Sequence, residues 1–307
     1  MKWWLKAGIQ KSISFLPGGR RIHHFLQQKV WRSLQLSDAF LIDRLSHVDK
    51  HLRAWEQYHP HSQPQIVLEL GTGWYPVVPL GMYLSGIDQI YTVDQSSYLS
   101  EARFAELLAY LANWQARGLL QKYLPSLKIH RWQSLRQLQA EYKNDFSKLL
   151  EALQIHYWLG DARTLPYSAR QFDLIHSNNT FEHIPPSILG GLISEMKRVM
   201  KVEGVMSHYI DMVDHYSYGD PSLSPLHFLR FTERQWSWIE NRFQSQNRMR
   251  LNQYEDLFAK LGLKALPLHL EFAAADEVKD QKLAFPYSSF PPKKVEVLYA
   301  HLMVNVI

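Results

Sequence analysis

The sequence predicts an α/β protein built on a doubly wound, largely parallel sheet, with a helical segment in front of it. Three observations carry that reading. From residue 65 onward, short apolar runs alternate with longer helix-patterned stretches, the layout of strands joined by crossover helices. The first run, Gln65 to Leu70, ends in Gly71-Thr72-Gly73. The next strand ends in Asp94, where an open α/β sheet presents ligand-binding side chains.

Leu5, Ile9, Ile13 and Leu16 recur at helical spacing and predict one apolar face, which Pro17-Gly18-Gly19 interrupts. Further helices are expected over 22–36 and 38–58, so residues 1–60 read as a helical extension and 61–307 as the main domain. Strands are expected at 65–70, 90–94, 155–158, 172–177 and 204–210. Two helical stretches, 97–118 and 132–153, fill the gap between the second and third strands, more chain than one crossover needs. A helix over 186–201 starts with proline, where the missing N–H costs little. A helix over 252–261 and two alternating runs, 263–273 and 295–306, close the chain.

The 307 residues include 46% hydrophobic and 21% charged side chains, enough for a large buried core. The absence of cysteine excludes disulfides, thiol nucleophiles and Cys-ligated metals, and fits a reducing compartment. No apolar run reaches the roughly 18 residues of a membrane span. Lys2, Lys6 and Lys11 interrupt the apolar start, which therefore lacks the core of a signal peptide, and a cytoplasmic location is expected. Residues 1–37 carry seven cations and no acid, so the +5 net charge sits on that arm and says little about the main domain.

Glycines at the end of a buried strand allow positive φ and close backbone approach to a ligand. An acid at the end of the following strand stands where a ribose diol would lie. A tight turn alone is the plainer alternative. Further along come Gly160 to Pro166, Phe172 to Asn178, Phe181-Glu182-His183-Ile184-Pro185 and Glu195 to Lys201. This ordered set, over about residues 65–210, resembles the class I S-adenosylmethionine-dependent methyltransferases, in the branch acting mostly on small molecules.

The resemblance implies seven strands in the order 3-2-1-4-5-7-6, the last antiparallel. It implies S-adenosylmethionine as cofactor, with Glu69 near the methionine amino group and Gly71, Thr72 and Gly73 against the methionine and ribose. Asp94 would accept from both ribose hydroxyls, Asp161 from the adenine amine, and the Ala162 N–H would face the ring. Asn178 would lie near the reactive methyl. The sequence departs from the family at Trp74-Tyr75-Pro76, where a third glycine is usual, and at Val202-Glu203-Gly204, expected as a turn before the fifth strand.

On the acceptor side His183, Asp211 and His208 are the candidates for acid–base or orienting roles. His208, Asp211, Asp214 and His215 could also serve as metal ligands, but their spacing matches no specific metal motif, and no metal is expected. His176, inside a strand, reads as a core histidine. Trp74, Phe228, Phe231, Trp236 and Trp238 read as core before they read as a pocket. Arg242, Arg248 and Arg250 read as a solvated face or as an anion site. The N-terminal arm is read as a lid or subdomain over the cofactor opening ahead of a peripheral membrane contact.

The expected activity is methyl transfer to an oxygen, nitrogen or carbon of a small molecule. An RNA methyltransferase using the basic arm and a non-catalytic cofactor-binding partner protein stay open. A nicotinamide oxidoreductase would share Gly71, Gly73 and Asp94, but Gly160-Asp161-Ala162 and Phe181-Glu182-His183 speak against it.

Overall fold

The strands are β1 (Ile66–Leu70), β2 (Gln89–Asp94), β3 (Ile155–Leu159), β4 (Phe172–Asn178), β5 (Met200–Asp211), β6 (Leu263–Phe272) and β7 (Val297–Val306). In the computed structural model they form one mixed sheet in the order β3-β2-β1-β4-β5-β7-β6. The structure describes residues 2–16, 35–241, 245–279 and 281–306. The helix expected over 22–36 falls almost wholly outside them, as do Arg20, Arg21, Lys29, Arg32 and Arg242.

The chain divides into two compact units, and the division runs through β5 and β7. Unit 1 takes in Met1–Gln35, Asn179–Gly190 and Tyr209–Leu302; unit 2 takes in Leu36–Asn178, Gly191–His208 and Met303–Ile307.

In unit 2, β1 pairs in parallel with β2 and β4, and β2 with β3. β1 and β4 are buried along most of their length, as strands covered on both faces must be. Helix α1 (Trp3–Ser14) belongs to unit 1, whereas α2 (Asp38–Tyr58) opens unit 2. The Ser37 side chain caps α2 by accepting from Phe40 N, and Asp38 in its first turn suits the helix dipole. The stripe Leu41, Leu45, Val48 and Trp55 is buried, and His47 and His51 are buried with it. Helix α3 (Val77–Leu84) is buried on every side, which accounts for its lack of charge. Four helices, α4 (Glu101–Ala116), α5 (Leu119–Tyr123), α6 (Ile129–Glu141) and α7 (Phe146–Ala152), occupy the long β2–β3 connection.

Helix α8 (Pro186–Val199) leads straight into β5. The strand begins at Met200, so Val202-Glu203-Gly204 lies inside it and is not the turn the sequence suggested.

In unit 1, α1 turns a different side inward from the one expected. Ala7, Gln10 and Ser14 are buried, while Leu5, Ile9 and Leu16 are exposed. The Trp3 ring sits 4.9 Å from His227 and 5.9 Å from both Tyr216 and Phe231. Lys11 Nζ donates to the Ser237 and Glu240 carbonyls. A large ring and an ammonium with three donors have fixed the helix rotation, against the count of aliphatic residues. Beside α1 a core of Tyr216, Leu226, Phe228, Leu229, Trp236 and Tyr287 gathers α9 (Glu233–Ile239) and its flanking turns. Helix α10 (Leu251–Lys260) precedes β6. Among the described residues no helix is long and apolar enough to cross a membrane.

Candidate active site

The loop after β1 has both glycines at positive φ, 89° at Gly71 and 67° at Gly73. Gly71 N donates to the Val93 carbonyl of β2 at 2.8 Å. A Cβ placed on Gly73 would meet nothing within 4 Å, so the backbone there lies against open space. The Asp94 carboxylate accepts from Gly73 N and from Ser96 N, each at 3.0 Å. One carboxylate thus ties the loop after β1 to the loop after β2 and still has lone pairs to offer. Burial raises its pKa, and the backbone donors oppose that rise.

Glu69, on β1, is fully buried, and burial pushes its carboxyl up to about 8; the hydrogen bond from Thr92 pulls the other way. Thr92 Oγ1 donates to Glu69 Oε2 at 3.0 Å, and the Thr72 hydroxyl bonds Thr92 in turn. At neutral pH this carboxyl is mostly protonated in the free chain.

Trp74 stacks on Tyr98 with ring centroids 4.3 Å apart, and the Arg103 guanidinium lies 4.2 Å from the Trp74 ring. Tyr75 Oη donates to Glu106 at 2.7 Å. The bulky residues that replace the usual third glycine therefore engage α4 and the segment before it.

Asn178, at the end of β4, is buried. His51 Nε2 lies 2.8 Å from Asn178 Oδ1, and His51 Nδ1 lies 2.7 Å from Ser207 Oγ on β5. The amide oxygen only accepts, so Nε2 carries the proton and Nδ1 accepts from Ser207. His176 stacks on His51 at 4.6 Å. It is the core histidine the sequence suggested, with both ring nitrogens lacking a hydrogen-bond partner among the described residues. Burial, and then His47, hold it down at about 3. Sequence reasoning missed His51; the signal was its spacing of four from His47 on the apolar stripe of α2.

Asp161 follows β3 and binds its own neighbour: Arg163 Nε lies 3.0 Å from both carboxylate oxygens, and Arg163 N donates at 2.9 Å. Hydrogen bonding to Arg163 holds the Asp161 carboxyl down at about 2. The pair is exposed, and Ala162 behind it is buried. Gly160 is required by close approach, because a Cβ there would stand 2.3 Å from the Trp158 ring.

Of the acceptor-side candidates, His208 is in unit 2, fully buried on β5 with Nδ1 2.8 Å from Ser177 Oγ. His183 and Asp211 are in unit 1 together with His215. His183 Nδ1 donates to the Ser245 carbonyl at 2.8 Å, and its ring lies 5.0 Å from that of His215. Surrounding protein, and then His215, hold His183 down at about 4, although 44% of its side chain meets solvent. Asp211 Oδ2 accepts from Tyr218 Oη at 2.7 Å and lies 3.2 Å from His215 Nε2; its Oδ1 accepts from Val213 N. Asp214 serves its own loop, accepting from Tyr216 N at 2.9 Å and facing His227 Nδ1 at 3.3 Å.

Arg248 and Arg250 are neither a solvated face nor an anion site. Both are buried. Arg250 donates to the Met212 carbonyl at 2.6 Å and to the carbonyls of Val295 and Val297. Arg248 donates to the Phe228 and Phe231 carbonyls and pairs with Glu233 at 2.5 Å. Their guanidinium forks tie together carbonyls from separate backbone segments. Phe228 and Trp236 are core, Phe231 packs against them, and Trp238 is exposed.

A family model described as a methyltransferase domain matches residues 133–204. No curated protein matches the chain. Among solved structures, an S-adenosylmethionine-dependent methyltransferase from Mesorhizobium loti is similar at 10% identity and a TM-score of 0.44, covering 84% of this chain and 99% of that one. A phosphoethanolamine N-methyltransferase 2 from Haemonchus contortus, in complex with S-adenosyl-L-methionine, is similar at 13% identity and a TM-score of 0.43, covering 92% and 59%. Residues 133–204 thus match a methyltransferase-domain model, and the sheet has the 3-2-1-4-5-7-6 order implied by the resemblance to the class I, S-adenosylmethionine-dependent methyltransferases.

The residues at the β1, β2 and β4 ends suit that cofactor. The Gly73 backbone is open, Asp94 retains acceptor capacity, and Glu69 is a carboxyl that an ammonium would ionise.

Proposed function

We propose that unit 2 binds S-adenosylmethionine through Glu69, Gly71, Thr72, Gly73, Asp94, Asp161, Ala162 and Asn178, and that the chain methylates an oxygen, nitrogen or carbon of a small molecule. The observation that carries the reading is the Asp94 carboxylate on Gly73 N at 3.0 Å, which couples the glycine loop to the β2 end. When bound, the cofactor supplies a sulfonium methyl open to in-line displacement. The chain supplies alignment and a dry environment. Asp94 offers its remaining lone pairs to the ribose hydroxyls, and Glu69 offers a carboxylate to the methionine ammonium. Asn178, fixed by His51, offers a neutral amide that a sulfonium tolerates. Asp161 is engaged by Arg163 at both carboxylate oxygens, so an adenine amine would take the place of part of that exposed pair.

For the acceptor we assign His183 and Asp211, with His215 between them. His208, bonded to Ser177 inside the sheet, is a structural residue in this reading. Unit 1 also has a cleft of about 640 Å³ whose lining includes Ser245, Gln246, Asn241 and Trp236, a size suited to a small molecule.

Calorimetry with S-adenosylmethionine and S-adenosylhomocysteine tests the cofactor reading. Micromolar binding, lost in Asp94→Ala and weakened in Asp161→Ala, is expected. Absence of binding to the folded wild-type chain overturns it.

A further inference from the structure

We propose that Glu182, His183 and His215 form a binding site for one divalent transition-metal ion of the zinc, manganese or iron(II) kind. One ligand atom from each of the three lies within 4.8 Å of the other two. The three residues all belong to unit 1. Of His208, Asp211, Asp214 and His215, the group considered from the sequence, only His215 belongs to this set; Glu182 and His183 join it, and His208, Asp211 and Asp214 have partners of their own.

The donor chemistry points the same way. The Ser245 carbonyl can only accept, so His183 Nδ1 carries the ring proton and Nε2 presents its lone pair. That lone pair faces Glu182 Oε1 at 4.0 Å. A ligating imidazole whose second nitrogen donates to a backbone carbonyl is a recurrent metal-site arrangement. Two imidazoles and one carboxylate make a mixed nitrogen–oxygen set, which selects borderline transition ions over calcium or magnesium.

The scaffold around the donors is held. Glu182 and His183 sit in one 3-10 turn, Phe181–His183. Asn247 N donates to the Glu182 carbonyl at 2.6 Å, and Asn247 Nδ2 donates to the carbonyls of Phe181 and Ile184. Tyr254 Oη in turn donates to Asn247. On the other side Gln246 accepts from His215 N at 3.1 Å, and Asp211 stands beside the His215 ring. Metal–ligand bonds of about 2.1 Å would draw the donors to roughly 3.4 Å apart, a contraction of about 1 Å that side-chain rotation supplies. His183 then serves an acceptor through the ion it holds and not by taking a proton itself.

The site is independent of the cofactor reading, and its test uses the metal alone. The full chain, stripped with chelator and checked for native circular dichroism, is titrated with zinc by calorimetry and with cobalt(II) by visible absorption. One equivalent is expected, with cobalt bands in the visible range. His215→Ala and Glu182→Gln should each weaken binding by about tenfold or more. His269→Ala, which removes an exposed histidine paired with Glu271, should leave binding unchanged. Glu182 is buried, so His215→Ala, at a partly exposed position, keeps the test decisive if Glu182→Gln fails to fold. Absence of stoichiometric binding to the folded wild-type chain overturns the proposal. So does binding that survives His215→Ala or falls equally in His269→Ala.

Discussion

His51 Nε2 stands 2.8 Å from Asn178 Oδ1, so a side chain from the first helix of unit 2 fixes the amide at the end of β4. The same ring accepts from Ser207 on β5. Removing it leaves two buried polar groups without their partner. His51→Ala is expected to cost about 1–3 kcal/mol in urea unfolding. It should also weaken S-adenosylmethionine binding in calorimetry. His51→Gln, which keeps a donor, should recover part of the affinity, whereas equal affinity in wild type and His51→Ala would detach His51 from the site.

Glu69 predicts a proton balance. Its carboxyl, pushed up to about 8 by burial, is mostly protonated at pH 7 in the free chain. A methionine ammonium beside it would ionise it, so cofactor binding should release close to one proton per chain. Calorimetry in two buffers of different ionisation enthalpy measures that number. Glu69→Gln should reduce it to near zero, and an unchanged value would separate Glu69 from the ammonium.

The same shifts set the pH dependence of stability. His176, held at about 3, and His183, held at about 4, have folded values below the unfolded 6.5. Their stabilisation is complete above pH 6.5 and is lost as pH falls toward those folded values. Glu69, raised from 4.5 to about 8, contributes stability that is lost as pH rises through that interval. Two protons outweigh one on the acid side, so stability should peak near the unfolded histidine value and decline on both sides. Urea midpoints across pH check this. Glu69→Gln should flatten the alkaline limb and leave the acid limb in place.

Arg250 is a buried cation whose fork spans three carbonyls, those of Met212, Val295 and Val297. Lysine cannot reproduce that fork. Arg250→Ala is expected to cost about 3–5 kcal/mol, because it strips three buried carbonyls of their donor and leaves a cavity. Arg250→Lys should cost nearly as much. A Lys variant with a wild-type denaturation midpoint would show that charge alone suffices there.

The sheet was legible in the sequence because its parallel strands are short, mostly apolar runs ending at Gly71, Asp94, Gly160 or Asn178. Periodicity also found α2 and most of the β2–β3 helices. It failed on α1, where Trp3 and Lys11 fixed the rotation and left Leu5 and Ile9 outside. It failed on β5, whose start at Met200 runs through residues that read as a turn. The residues proposed for the cofactor were picked out through motif spacing and the resemblance. His51 was not, because a histidine on an apolar stripe carries no mark of the amide it will meet. Arg248 and Arg250 were misread for a related reason. A guanidinium buried among carbonyls has the same one-letter signature as one in water.

The place of α2 bears on how the gene could be trimmed. Residues 38–58 look like an appendage ahead of the glycine loop, yet their helix supplies an interior ring to the β4 end. A truncation at residue 61 would leave Asn178 and Ser207 facing a hole the width of an imidazole. One that keeps everything from Leu36 retains all of unit 2. Shortened versions made for crystallisation or for swapping N-terminal segments between relatives should cut before Ser37, whose hydroxyl begins that helix.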